Sequence, residues 1–326
     1  MQHEALWIDA SDGSQLFVHR WHNAVAPRAA LMIAHGMAEH GARYARLAEA
    51  LVADGIEVYA LDQRGHGRTA ERGLLGHYAD ANGWSKVVGD LASLNHLIRR
   101  QHPQAPIFLL AHSMGSYIGQ AYLMQHSCSL QGAILSGSNY QSPALYKAAE
   151  LVARFERWRL GPSGRSKLID FLSFGSFNKA FKPNRTAFDW LSRDPAEVDK
   201  YVNDPLCGFV CTTQLWCDLT QGLQQISPLH NLAQIDSELP LLVIGGERDP
   251  VSQGKRLADL AAALRGAGLK DVELKLYPEA RHELLNESNR DEVTTHLRGW
   301  LQRALARGRR APALRSPHEP AHQYPL

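Results

Sequence analysis

Five short apolar runs, unbroken rather than alternating, constrain this chain more than any other feature. They are Ala30–His35, Ile56–Asp62, Ile107–His112, Gly132–Ser136 and Leu241–Gly246. A strand with one solvated face alternates apolar and polar residues. A strand that is apolar throughout must be covered on both faces, as parallel strands are. Between the runs lie amphipathic stretches of helical length at Arg43–Asp54, Trp84–Gln101, Met114–Gln125, Gln253–Arg265 and Arg290 to Ala306. This repetition predicts an α/β fold, a mostly parallel central sheet flanked by helices. Glu4–Ile8 and Leu16–Trp21, with Asp12-Gly13 between them, predict an opening antiparallel hairpin.

The alternation lapses between residues 139 and 228. That segment has no clear strand, yet it holds ten of the sixteen Phe and Trp residues of a 326-residue chain. It is expected to form a helical cap inserted into a core of residues 1–138 and 229–306. Its expected place is over the carboxyl edge of the sheet, where open α/β sheets bind ligands. Residues 307–326 carry four prolines and little apolar content, and are expected to be disordered. A net charge of +2 supplies no general field for nucleic acid. Cys128, Cys207, Cys211 and Cys217 fit no zinc spacing and read as reduced thiols. The first residues lack a basic and apolar leader, and no run of 18 apolar residues exists. A soluble, cytoplasmic protein is therefore expected.

Chemistry concentrates at one junction. In Ile107–Gln125 an apolar strand runs straight into a helix, with Ser113 at the turn. This is the context of a nucleophile elbow, which lifts a serine hydroxyl above the sheet. The residue two positions on must be small because helix and strand nearly touch, and Gly115 meets that need. Two positions before, Ala111 stands where glycine is usual. The plainer alternative is an ordinary helix cap. A serine hydroxyl needs a base, and the base needs an orienting acid; on this fold the chain order is Ser, acid, His. Asp249 follows the strand Leu241–Gly246, and His282 follows a strand at Val272–Tyr277. Glu247 is the nearest rival acid, and a turn-forming role before Pro250 is the plainer reading of Asp249. An oxyanion needs backbone donors. The Met114 amide follows the nucleophile, and the Met37 amide lies in the His35-Gly36-Met37 loop after another strand.

The segments HGMAEHGARY (35–44), DQRGHGRT (62–69), AHSMGS (111–116), GERDPVS (246–252) and RHELLNE (281–287) together resemble the monoacylglycerol lipase and lysophospholipase branch of the α/β-hydrolase family. The resemblance covers about residues 5–305. It implies a triad of Ser113, Asp249 and His282, a helical cap matching 139–228, and hydrolysis of acyl-lipid esters without a cofactor. It also implies that Glu39 and Arg43 lie near the alcohol side of the ester. Leu285 stands where some members carry a second histidine, and Asn203–Leu206 resembles a recurring stretch of the family's cap.

Other signals are weaker. Gly65–Ala70 fits a dinucleotide fingerprint, but the stretch after Ala70 has no helical period. His282–Asn286 lacks the second histidine of a zinc motif, so no metal is expected. Residues 147–185 carry nine Lys and Arg against three Asp and Glu, interleaved with aromatics. A cap core with solvated cationic rims is the plainer reading; the sharper one is transient docking on an anionic lipid surface. The expected partner is a small-molecule acyl ester. An amide or thioester hydrolase, or a non-catalytic ligand-binding member, are the alternatives.

Overall fold

A computed structural model of the chain describes residues 1–308, so the expectation for the tail falls outside the described residues from 309 onward. Eight strands form one sheet: β1 (Gln2–Asp9), β2 (Gln15–His22), β3 (Ala29–Ala34), β4 (Ile56–Asp62), β5 (Ile107–His112), β6 (Gly132–Ser136), β7 (Leu241–Gly246) and β8 (Val272–Tyr277). Their spatial order is β1-β2-β4-β3-β5-β6-β7-β8. The opening hairpin pairs antiparallel and joins β4 antiparallel, and every later pairing is parallel.

The unbroken apolar runs have the expected cause. Along β3, Ala30, Met32 and Ala34 enter one core cluster while Leu31 and Ile33 enter the other, and all five are fully buried. Strand side chains alternate between faces, so a strand covered on both must be apolar at every position. The cover on one side comes mainly from α2 (Gly83–Gln101), α3 (Met114–His126) and α10 (Lys255–Gly266). On the other it comes from α1 (Ala45–Ala53) and α11 (Arg290–Ala306). The sequence places α1 from Arg43, but Gly41–Tyr44 is a tighter 3-10 turn leading into it.

Between β6 and β7 the chain makes only helices and turns: α4 (Pro143–Leu160), α5 (Lys167–Leu172), α6 (Phe174–Phe177), α7 (Pro195–Asn203), α8 (Thr213–Ile226) and α9 (Leu229–Leu232). Local chemistry sets their starts. Pro143 and Pro195 occupy first-turn positions where a missing N–H costs nothing. Asp194 and Thr212 cap α7 and α8, accepting from the amides of Ala196 and Leu215 at 3.0 and 3.2 Å. Helices α4 and α8 pack on one another, and α8 also packs on α2 and α3 of the core. Among the described residues, no helix is long and apolar enough to cross a membrane.

Candidate active site

Ser113 sits between β5 and α3 with φ +51° and ψ −121°, a conformation L-residues rarely adopt. Two glycines allow the approach around it. A Cβ on Gly115 would lie 2.2 Å from the Ala34 carbonyl oxygen, which is backbone and cannot yield. A Cβ on Gly36 would lie 2.9 Å from Glu39 Oε1 and 3.3 Å from Ser113 Cβ. Ser113 Oγ lies 2.9 Å from His282 Nε2, and His282 Nδ1 lies 3.0 Å from Asp249 Oδ1. Three side chains from the ends of β5, β7 and β8 thus form one hydrogen-bonded chain. Asp249 is fixed in turn by the Val251 amide at 2.9 Å and the Ser252 hydroxyl at 3.3 Å. Glu247, the rival acid, is solvent-exposed and takes no part in the chain.

His282 is buried. Burial would lower its proton affinity, but the Asp249 charge and hydrogen bond outweigh that, with Glu283 and Glu39 adding to them, and the imidazole is raised above its ordinary value. Its neighbour His112, with ring centroids 4.8 Å apart, goes the other way: burial and then His282 itself push it down to about 4. One imidazole is thus disposed to accept a proton while the adjacent one stays neutral.

The loop after β3 is held from both sides. His35 Nδ1 lies 2.7 Å from the Gly36 carbonyl, and its Nε2 accepts from the Gln63 amide at 3.0 Å. The acceptor role of Nε2 places the ring proton on Nδ1, donating to Gly36 O. In a planar trans peptide this turns the following Met37 N–H away from His35. Among the described residues the Met37 and Met114 amides have no hydrogen-bond acceptor. From the insertion, the Tyr201 hydroxyl and the Gly208 amide both donate to the Ala38 carbonyl at 2.9 Å, and Asp204 meets His40 Nε2 at 2.9 Å.

Glu39 is buried and Arg43 nearly so, and each is bound within the protein. Glu39 accepts from the Gly36 amide at 2.6 Å, the Tyr44 hydroxyl at 3.0 Å and Arg43 at 2.7 Å. Arg43 also makes a two-pronged pair with Glu283 at 2.6 Å on each arm. Burial alone would raise the Glu39 carboxyl, but Arg43, assisted by His112 and His35, holds it down at about 2. With His112, Tyr44, Ser136 and Leu285 these residues line a small cavity. Sequence reasoning missed Glu283, although its place beside His282 was a usable signal. It also missed His112, which precedes the serine.

Two groups of potential metal ligands converge elsewhere, His19–His40–Asp62 and His40–Asp204–Cys207. Asp62 already accepts from the Gly41 amide at 2.7 Å and the Arg68 amide at 2.8 Å, and His40 is paired with Asp204. Both groups therefore read as struts. The same Asp62 bond ties down the glycine-rich turn, which continues as a 3-10 helix at Gly67–Arg72 rather than opening an α-helix. All four cysteines are free thiols.

A serine at a strand–helix elbow on a mostly parallel eight-stranded sheet defines an α/β-hydrolase. Residues 25–289 match the family model described as "Serine aminopeptidase, S33". A monoacylglycerol lipase of Mycolicibacterium smegmatis is 30% identical, the match covering 89% of this chain and 93% of that protein. A monoglyceride lipase of Rattus norvegicus is 27% identical over 91% and 89% of the two chains. Among solved structures, a thermostable carboxyl esterase from Bacillus coagulans in complex with glycerol superposes with TM-score 0.86 at 26% identity, covering 94% of this chain and 99% of that one. The chain belongs to the α/β-hydrolase family, among the carboxylic ester hydrolases that resemble monoacylglycerol lipases.

Proposed function

We propose that the protein hydrolyses acyl-lipid esters of the monoacylglycerol or lysophospholipid type through an acyl-enzyme on Ser113. The observation that carries this reading is the unbroken hydrogen-bond chain from Ser113 Oγ through His282 to Asp249. Ser113 Oγ attacks the acyl carbonyl while His282 takes its proton. Asp249 fixes the imidazole tautomer and stabilises the imidazolium. The Met37 and Met114 amides hold the tetrahedral oxyanion. His282 then protonates the departing alcohol, and water activated by the same imidazole cleaves the acyl-enzyme. Glu39 and Arg43 shape the alcohol side by fixing the Gly36 loop to the His282 loop.

In this reading residues 139–228 act as a cap that also touches lipid surfaces. Leu151, Phe155 and Trp158 share one face of α4 at helical spacing and are 64%, 54% and 81% exposed. Leu168, Phe171 and Leu172 of α5 are exposed as well. Arg154 and Lys167 are exposed on the same two helices, and each basic residue near an anionic surface adds about 1 kcal/mol.

The test is a chain-length series of glycerol and lysophospholipid esters beside p-nitrophenyl esters. Ser113→Ala lowers kcat at least about 10³-fold and abolishes labelling by a fluorophosphonate. An unchanged rate refutes the assignment. The aminopeptidase description of the matching family model favours one second reading, amide cleavage by the same residues. Faster turnover of amino-acid amides than of any ester in the series would establish it.

A further inference from the structure

The base His282 is boxed by rings. His112 faces it at 4.8 Å with a 47° tilt, and Trp190 of the insertion faces it at 5.1 Å with a 38° tilt. Trp190 is 3% exposed, and its indole N–H has no partner among the described residues. It is therefore held by its faces, packed against Phe174 at 5.8 Å and Phe177 at 5.0 Å. Its stretch of chain is fastened to the His282 loop at several points. The Glu283 amide donates to the Leu191 carbonyl at 2.8 Å, and the Ser192 hydroxyl to the Asn286 carbonyl at 2.8 Å. Arg281 reaches the carbonyls of Asp189 and Ser192, and Arg193 pairs with Glu287 at 2.8 Å. The indole thus keeps its place relative to the imidazole.

A cation within about 6 Å of an indole centroid is attracted by the ring's negative face, most strongly where water is excluded. In the proposed reaction His282 becomes that cation whenever it holds the Ser113 proton. We infer that Trp190 is a positioning residue for the base: its indole walls the His282 ring and stabilises the imidazolium, which makes the insertion part of the proton-transfer machinery. The inference rests on the acyl-enzyme reading above. The titratable and charged groups facing His282 are Asp249 after β7, Glu283 beside it, Glu39 after β3 with Arg43 between the two glutamates, and His112 at the end of β5. Trp190 is the aromatic contribution from the insertion. Stabilising the charged imidazole raises its proton affinity, so losing the indole lowers it.

The experiment compares the full chain with Trp190→Leu and Trp190→Phe, using a short soluble p-nitrophenyl ester across pH 5–9. Trp190→Leu lowers kcat/KM about ten-fold, a loss carried in kcat, and moves the acid limb of the profile down by about half a pH unit. Trp190→Phe keeps a weaker π face and loses about three-fold. A Trp190→Leu profile unmoved or displaced upward overturns the inference. A second measurement stands if Trp190→Leu fails to fold. The chain has seven tryptophans, and the emission lost on Trp190→Phe isolates that of Trp190. Imidazolium quenches indole fluorescence, so this difference emission falls as pH drops through the same midpoint as kcat/KM. Emission flat across that midpoint overturns the inference. The Ser113→Ala control separates the two levels: if it stays active, the acyl-enzyme reading fails and takes this inference with it. If it is inactive while the Trp190 variants behave as wild type, only this inference fails.

Discussion

Replacing Arg43 with methionine should invert the pH dependence of stability. In the native chain one largely covered guanidinium serves two buried carboxylates, Glu39 at 2.7 Å and Glu283 at 2.6 Å. Burial would raise the Glu39 carboxyl, yet Arg43 and the nearby histidines hold it at about 2 against an ordinary 4.5. Each pH unit corresponds to about 1.36 kcal/mol, so this group contributes about 3 kcal/mol. That contribution is fully present above pH 4.5 and is lost as pH falls toward 2. Arg43→Met keeps most of the volume but leaves Glu39 and Glu283 uncompensated, a situation that typically costs about 3–5 kcal/mol. Desolvation and repulsion by the neighbouring Glu283 charge then lift the Glu39 carboxyl above its unfolded value. A carboxyl raised on folding destabilises the native state while ionised, and the penalty disappears as it protonates. The variant should therefore be about 3 kcal/mol less stable than wild type at pH 7 and should gain stability from pH 8 down to pH 5. Urea melts at four pH values over that range read this directly. An Arg43→Met chain that loses under about 1 kcal/mol, or whose stability changes with pH as wild type's does, would refute the network as described.

Two further expectations concern packing and surface. A Cβ on Gly119 would lie 2.8 Å from Ala111 Cβ, so Gly119→Ala should cost about 1–3 kcal/mol in urea melts. Ala111→Gly in the same chain should restore most of that loss, while Ala111→Gly alone should leave esterase activity within a few-fold of wild type; simple additivity of the two changes would show that the contact is not the cause. Converting Leu151, Phe155 and Trp158 to serine should weaken sedimentation with vesicles rich in anionic lipid without changing turnover of a soluble ester, and equal vesicle binding by the variant would remove the lipid-surface role of α4.

What the sequence disclosed and what it withheld divide along a physical line. The sheet was legible because burial on both faces marks every residue of β3 to β7. The elbow was legible because its demands are local: a strand, a turn, a helix, and a residue at 115 small enough to lie under the Ala34 carbonyl. Asp249 and His282 were legible because both follow strands that end at the same edge of a parallel sheet. The arrangement around them left no such trace. Periodicity tells which face of an element is buried, not which distant element buries it. Arg43 meets Glu283 across 240 positions and His40 meets Asp204 across 164, and neither pairing alters the local pattern at either end. The aromatic excess of residues 139–228 reads as a helical cap, and a separate buried cluster gathers there around Trp190, Leu191 and Tyr201. Composition could not single out, among the ten Phe and Trp residues of that segment, the one indole that lies against the imidazole, because Trp190 reaches His282 through the docking of two loops 92 positions apart. The three residues of the Ser113–His282–Asp249 hydrogen-bond chain can thus be read from local rules, while the residues that hold them in register require the fold.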